Sequence, residues 1–196
     1  MHLPLKALLL TAVFCSSTSA QASTWPSFIE GQPAPDAWLQ ISLNETDSFG
    51  LQTNLTERTN VQICERIITA AGACAAIGSF VIAFAQAMGS TIKQKSNEHS
   101  CSSVRGTYES VSWIYYATGR NCDTTAQRET IAGAVKKYLH DVKGNKLCGT
   151  ECLRFDHGGT WDGWLKLGPT SNFNAGAYCG SELQFSHCLS GGDGDI

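Results

Sequence analysis

The cysteines constrain the fold of this chain more than any other feature. Nine are present in 196 residues. Eight of them lie beyond the N-terminal segment, and an even number of cysteines in a short chain predicts a disulfide framework where the compartment is oxidising. Eight cysteines permit about a hundred different pairings, so the sequence leaves the connectivity open. We expect four disulfide bonds among the eight that lie beyond the N-terminus, which are Cys64, Cys74, Cys101, Cys122, Cys148, Cys152, Cys179 and Cys188.

The N-terminus indicates the compartment. Lys6 supplies a positive charge, an apolar run follows, and Ala20-Gln21-Ala22 is a small-residue cleavage site. This order predicts a secretory signal peptide over residues 1–22, with cleavage after Ala20 as the alternative. Cys15 leaves with that peptide, and an even number of cysteines remains. We therefore expect a secreted, extracellular protein, glycosylated at the sequons that begin at Asn44 and Asn54.

Charge narrows the range of partners. The formal net charge is −3, and loss of Lys6 with the leader makes it −4. A mildly acidic chain argues against binding to nucleic acid and against electrostatic docking on anionic lipid. We expect no nucleic acid, no cofactor and no metal. The wall or membrane of other cells remains a candidate partner.

The cysteine distribution predicts the domain organisation. Residues 23–58 are polar, contain prolines and lack cysteine, which is typical of an N-terminal arm, a pro-segment or short edge strands. We expect a disulfide-stapled domain over residues 59–188. A Gly- and Asp-rich flexible tail is predicted over residues 189–196.

The segment 67–88 contains 22 residues without a charge. It is rich in Ala and Gly, which favours a buried central helix with Ala76 and Ala83 in the core. A helix that is apolar on all sides is either buried or spans a membrane. The alternative is therefore a membrane-anchored surface protein.

The remaining patterns predict strands and one more helix. Residues 111–118 have strand composition. Residues 124–143 carry an apolar stripe at helical spacing, with Asp123 or Thr124 as the capping residue. A turn at Asp156–Gly159 joins two further strands. We predict an α+β fold in which a small antiparallel sheet packs on the long apolar helix and on the second, amphipathic helix, stapled by four disulfides.

Candidate chemistry is sparse in this sequence. Cys148 and Cys152 have the spacing of a zinc pair, but an oxidising compartment favours disulfides. Asp156 and His157, with Ser181 or Ser186, could form a hydrolase triad, yet no nucleophile-elbow motif is present. We expect no catalytic residue, with a secreted hydrolase as the alternative.

One string near the C-terminus is the candidate surface motif, formed by Asp156, His157, Trp161 and Trp164. Period-two alternation places the two indoles on opposite faces of a strand. We expect one of them in the core and the other exposed, where it could stack on a sugar or a lipid.

A resemblance follows from the order of these features. The Cys148–Cys152 spacing, Gly158-Gly159-Thr160-Trp161 and Gly168-Pro169 resemble the yeast condition-specific-secretion proteins and, more distantly, killer-toxin-like proteins. The resemblance covers about residues 60–188. It implies an extracellular location and an effector or toxin-like activity, and it carries over no catalytic residue. The chain contains no Lys-Arg or Arg-Arg pair of the kind at which killer toxins are processed.

Overall fold

The computed structural model describes residues 27–43, 74–185, 187–192 and 195–196. The predicted signal peptide, both predicted glycosylation sites and Cys64 lie outside these residues. The described part is a mixed α/β structure. Its strands are β1 (Phe28–Ile29), β2 (Gln32–Pro33), β3 (Ala37–Leu43), β4 (Ala75–Ala76), β5 (Val104–Tyr108), β6 (Val111–Thr118), β7 (Lys146–Leu147), β8 (Glu151–Asp156), β9 (Asp162–Pro169) and β10 (His187–Gly191).

A six-stranded sheet with the order β10-β3-β8-β9-β6-β5 forms the centre of the fold. Strands β8, β9, β6 and β5 pair antiparallel, as predicted. Strand β3 instead pairs parallel with both β8 and β10, so the expectation of a purely antiparallel sheet is wrong. More than a hundred residues separate Ala37 from its partner Glu151, and a long connection permits parallel pairing where a tight hairpin does not.

The position of β3 also changes the predicted domain boundaries. It lies between β10 and β8, and Leu39 and Ile41 are buried beneath the helices. Residues 37–43 are thus an internal strand of the sheet, although we expected them in an N-terminal arm. The predicted tail begins at Leu189, yet residues 189–191 pair with β3 at the sheet edge. The apolar residues of β3 favour a strand that is covered on both faces.

The apolar segment does not form one helix. Helix α1 spans Val81–Asn97, and residues 74–80 are not helical. Cys74 is bonded to Cys148, and Ala75 pairs with Leu147 in the β4–β7 ladder. An extended residue in a ladder cannot also belong to a helix, so the prediction of a helix through residues 74–80 is wrong. Residues 67–73 lie outside the described part.

Helix α1 is amphipathic rather than apolar on all sides. Its buried residues recur at helical spacing, whereas Ile82 and Ala83 are exposed. Ala76, in β4, is exposed as well. The predicted core positions of Ala76 and Ala83 are therefore wrong. The buried face consists of Val81, Phe84, Ala85, Met88, Gly89, Ile92 and Ser96. No helix within the described ranges is long and apolar enough to cross a membrane.

Helix α2 (Arg128–Lys137) continues into a π-helical turn, Tyr138–Val142. The predicted apolar stripe is buried, but the helix begins four residues after Thr124. The Thr124 amide instead donates to Ser96 Oγ of α1 at 2.9 Å, which holds this segment in a non-helical conformation. The two helices pack closely at Gly89, where an added methyl group would lie 2.6 Å from the Arg128 carbonyl oxygen.

Three disulfides are present among the described residues. They join Cys74 to Cys148, Cys101 to Cys122, and Cys152 to Cys179. The second closes the β5–β6 hairpin, and the third ties β8 to the segment that follows β9. Because Cys64 lies outside the described residues, the fourth expected bond stays a prediction.

We predict that the mature protein has no free thiol. Mass spectrometry without reduction should find no alkylatable cysteine and should recover the three cross-links described above. Each disulfide restricts the unfolded chain and contributes about 2–4 kcal/mol, so reductant should lower the melting temperature. A stoichiometric free thiol, or a melting curve that is unchanged in reductant, would contradict this expectation.

We also predict that Gly89→Ala destabilises the protein by about 1–3 kcal/mol, measured by chemical denaturation. Alanine at an open helix position would stabilise by about 1 kcal/mol relative to glycine. Here the added methyl group would meet both Arg128 and Ala132, so the sign reverses. The matched control is Ser90→Ala at the exposed neighbour, which should change stability by less than about 0.5 kcal/mol. A stabilising Gly89→Ala would contradict the close helix crossing.

Candidate functional site

The two faces of the sheet have different roles. The inner face packs on α1 and α2 through the main hydrophobic cluster. The outer face carries a second, smaller cluster that includes Trp38, Cys152 and Trp164. Residues 170–185, which we call the covering segment, contribute Tyr178, Cys179 and Leu183 to that cluster.

Two of the rows that outer-face side chains form across the sheet surround the site. In the first row, Trp38 is opposite Cys152, Cys152 is opposite Lys166, and Lys166 is opposite Ile114. The second row consists of Gln40, Arg154, Trp164 and Tyr116. Directly opposite residues have neighbouring side chains, so the register alone places Lys166 between a disulfide and an apolar residue.

At least four contacts attach the covering segment to the outer face: the Trp38 Nε1–H donates to the Gln184 carbonyl oxygen at 3.1 Å, and three more contacts lie around Lys166. The Cys152–Cys179 disulfide is the first of these three. The Lys166 ammonium donates to the carbonyl oxygens of Ala175 and Ala177, each at 2.6 Å. The Tyr116 hydroxyl donates to the Cys179 carbonyl oxygen. These contacts hold a segment without regular secondary structure against a flat sheet.

Lys166 is a buried cation, with only 9% of the residue exposed. Its partners among the described residues are the two carbonyl oxygens, and no described carboxylate forms an ion pair with it. Burial lowers the pKa of the Lys166 ammonium from its ordinary value, because desolvation disfavours the charged form. An ammonium has three donors, so one N–H remains beyond the two carbonyl contacts.

A pocket of about 270 Å³ lies beside Lys166. A methyl group added at Gly180 would lie 2.9 Å from the Tyr178 hydroxyl and 3.1 Å from the Tyr116 hydroxyl, so the two phenols converge there. Burial, and to a smaller degree the nearby Tyr178, raises the pKa of Tyr116 to about 12. Tyr116 is therefore a neutral hydroxyl in ordinary buffers. The lining consists of Gln32, Ile114, Tyr116, Lys166, Ala177, Tyr178 and Cys179.

Arg154 organises the other end of the outer face. Its guanidinium donates to Asp162 Oδ1 from Nε at 2.9 Å and to Gln40 Oε1 at 3.2 Å. The same group lies 5.7 Å from the Trp164 ring centroid and 5.9 Å from that of Phe185. These distances permit cation–π attraction. Arg154 thus connects two strands to the covering segment.

The two predicted indoles lie on opposite faces, as the alternation indicates. Trp161 belongs to the inner cluster and Trp164 to the outer one. Both are buried, at 5% and 2% exposure, so the expectation that one is exposed is wrong. Trp164 is covered because Tyr116 stacks on it and Phe185 packs against it. Neither indole can serve as an open platform for a sugar or a lipid.

Asp156 has a contact within the β8–β9 turn, and His157 contacts the segment before α2. Asp156 Oδ1 accepts the Gly158 amide at 2.7 Å, and the positive φ of Gly158, 76°, suits the tight turn. His157 Nδ1 lies 3.1 Å from Thr125 Oγ1. The described contacts of His157 are thus to threonine rather than serine. Ser181 is exposed, and Ser186 lies outside the described residues.

The predicted zinc pair is divided between two disulfides. Cys148 bonds to Cys74, and Cys152 bonds to Cys179, so neither sulfur is a free thiolate ligand. Within the described ranges, no group of three or more His, Cys, Asp or Glu residues could hold a metal ion. The two cysteines have structural roles, since Cys148 ties the segment between β7 and β8 to Cys74, and Cys152 ties β8 to the covering segment.

Sequence reasoning missed the pocket around Lys166. The alternation of the sequence correctly predicts that Lys166 lies on the same strand face as Trp164. The burial of this lysine could not be predicted, because the residues that bury it belong to the turn-rich covering segment, which has no periodic pattern. Gln32, Tyr116 and Tyr178 carry no local motif that would mark them as pocket residues.

Comparison with known proteins gives a family match. A family described as a family of unknown function, DUF6736, matches residues 51–178. No curated protein and no solved structure matches the chain. The matched range includes Tyr116, Lys166 and Tyr178, while Gln32 and Cys179 lie outside it.

We predict that Arg154→Met lowers the free energy of unfolding by about 1–3 kcal/mol. The change leaves Asp162 without its partner and removes the stacked cation from Trp164. The matched control is Arg105→Met on the exposed edge strand β5, which should cost less than about 0.5 kcal/mol. Urea denaturation followed by tryptophan fluorescence measures both. Equal effects of the two variants would show that the Arg154 contacts contribute no special stability.

Proposed function

We propose a function from the structure itself, because the chain belongs to DUF6736, a family of unknown function. We infer that it is a secreted protein that acts outside the cell by binding rather than by catalysis. The observation that carries this proposal is the pocket on the outer face, which a disulfide-fixed segment covers and which contains no nucleophile–base pair among its lining residues.

Secretion is supported by two independent features. The first is the signal-peptide pattern of residues 1–22. The second is the set of three disulfides, each of which joins different elements of the fold. Disulfides of this kind persist in oxidising compartments and are rare in the cytosol.

A binding role is supported by the construction of the pocket. The disulfide and the Lys166 contacts hold its walls in place before any ligand arrives. A preformed site loses less conformational entropy on binding than a mobile one. A catalytic role has less support, because Asp156 accepts the Gly158 amide within the β8–β9 turn and the His157 ring contacts Thr125.

The effector part of the proposal rests on the resemblance to secreted yeast proteins. That resemblance supports action on the wall or membrane of other cells. The hydrolase alternative predicts a different response to mutation, and the following experiment separates the two.

We predict that the full chain, expressed with its own leader in a yeast host, is recovered from the medium and begins at Ser23. Purified protein should slow growth or cause leakage in competing cells, and His157→Ala should retain that effect. His99→Ala, at an exposed histidine, is the matched control. Loss of activity in His157→Ala alone would favour the hydrolase. Protein found only inside the producing cells would contradict secretion, and inert secreted protein would contradict the effector role.

A further inference from the structure

Among the residues that the structure describes, no carboxylate provides the Lys166 ammonium with a counter-charge. Buried charges in proteins are usually paired, since an uncompensated charge in a poorly solvated site is costly. The inner face of the same sheet follows this rule, because Lys143 Nζ lies 2.8 Å from Glu151 Oε1 in a buried ion pair. Lys166 has only two neutral carbonyl oxygens among the described residues. Its third N–H has no described acceptor.

A second donor is also unpartnered in this pocket. The Tyr178 hydroxyl accepts the Glu182 amide at 3.2 Å, and the described residues offer no acceptor for its proton. The Tyr116 proton, in contrast, is used by the Cys179 carbonyl. The pocket therefore presents an ammonium N–H and a phenol O–H. No carboxylate is among its lining residues, so nothing in the lining repels an anion.

The rest of the pocket wall is mainly apolar. Gln32 is its one further polar residue, and the others are Ile114, Ala177, the Tyr116 ring and the Cys179 end of a disulfide. The volume, about 270 Å³, is just below the range of roughly 300–1,000 Å³ that is typical of drug-sized ligands. These walls suit the compact hydrocarbon or aromatic body of a small molecule.

We propose that the Lys166 pocket binds a small carboxylic acid, with the carboxylate at Lys166 and Tyr178 and the apolar body against Ile114 and Tyr116. This inference rests on the proposed binding function and specifies its ligand class. A carboxylate matches the site because a single cation lines it. A phosphate dianion would bring about twice the charge to the same lone ammonium.

The test uses the full secreted protein and benzoate as the probe, with benzamide as the neutral probe of the same shape. Heteronuclear NMR titration should give saturable shifts at Tyr178 and Ile114 with benzoate. Benzamide should bind at least about tenfold more weakly, since it lacks the charge-assisted hydrogen bond. Equal binding of the two probes, or no saturable shift with benzoate, would overturn the proposal.

Two variants assign the binding to the named groups. Lys166→Met should lower the benzoate affinity at least about tenfold, whereas Lys146→Met, at an exposed lysine of β7, should not change it. Because Lys166→Met also unpairs two carbonyl groups, Tyr178→Phe is the second variant. It removes one hydroxyl and should weaken benzoate binding by about three- to tenfold. Undiminished binding in Tyr178→Phe and in folded Lys166→Met would place benzoate elsewhere.

The outcomes of this test differ from those of the proposed function. Secretion and the response of competing cells are read from the medium and from growth, and neither requires benzoate. A protein that is secreted and active on cells but does not bind benzoate would refute the ligand class alone. A protein that binds benzoate but is inert on cells would refute the effector role and leave the pocket inference in place.

Discussion

The outer half of this structure depends on the contact between Lys166 and the carbonyl oxygens of Ala175 and Ala177. Backbone carbonyls in a turn-rich segment have no regular ladder to satisfy them, and a buried carbonyl without a partner is costly. A charged donor makes shorter and stronger hydrogen bonds than a neutral one. With the Cys152–Cys179 disulfide, this contact fixes the covering segment. The cover in turn buries Trp164 on the outer face.

The partly buried Lys143 and the buried Lys166 are held by different kinds of partner. Lys143 pairs with Glu151, and the Tyr138 hydroxyl donates to the same carboxylate, so that charge is compensated within the chain. The pair connects the π-helical turn to the first residue of β8, next to the parallel strand β3. It therefore stabilises the region where the N-terminal part of the described chain enters the sheet. Lys166 holds the covering segment through neutral carbonyl partners. Its charge therefore remains available to a ligand.

Local patterns predict local structure in this chain. The sequence predicts three local features correctly: the Gly158-Gly159 turn, the alternation along β9 and the apolar face of α2. Each depends only on neighbours within a few residues. The central position of β3 was not readable, since its partner β8 lies more than a hundred residues away. The non-helical conformation of residues 74–80 could not be predicted for a similar reason. It depends on which cysteine is the partner of Cys74, and spacing does not determine that choice.

The candidate site shows the same limit. The sequence places Lys166 and Trp164 on one face of a strand, but it does not reveal that a segment of turns covers them. Residues 170–185 contain no periodic pattern from which burial could be inferred. Two motifs suggested chemistry, Asp156-His157 and the Cys148–Cys152 spacing. In the structure, Asp156 and His157 contact Gly158 and Thr125, and the two cysteines form disulfides. The pocket instead uses residues from distant parts of the chain that carry no motif.

Hydrogen exchange of the covering segment tests the central claim most directly. The Tyr178 amide donates to the Pro33 carbonyl oxygen at 2.7 Å, and the Ala177 amide donates to Asn174 at 3.1 Å. If the covering segment is fixed on the outer face, both amides in the oxidised protein should exchange orders of magnitude more slowly than in an unfolded chain, in the range of the strands β8 and β9. Exchange of Ala177 and Tyr178 at the unprotected rate, with β8 and β9 still protected, would contradict the account.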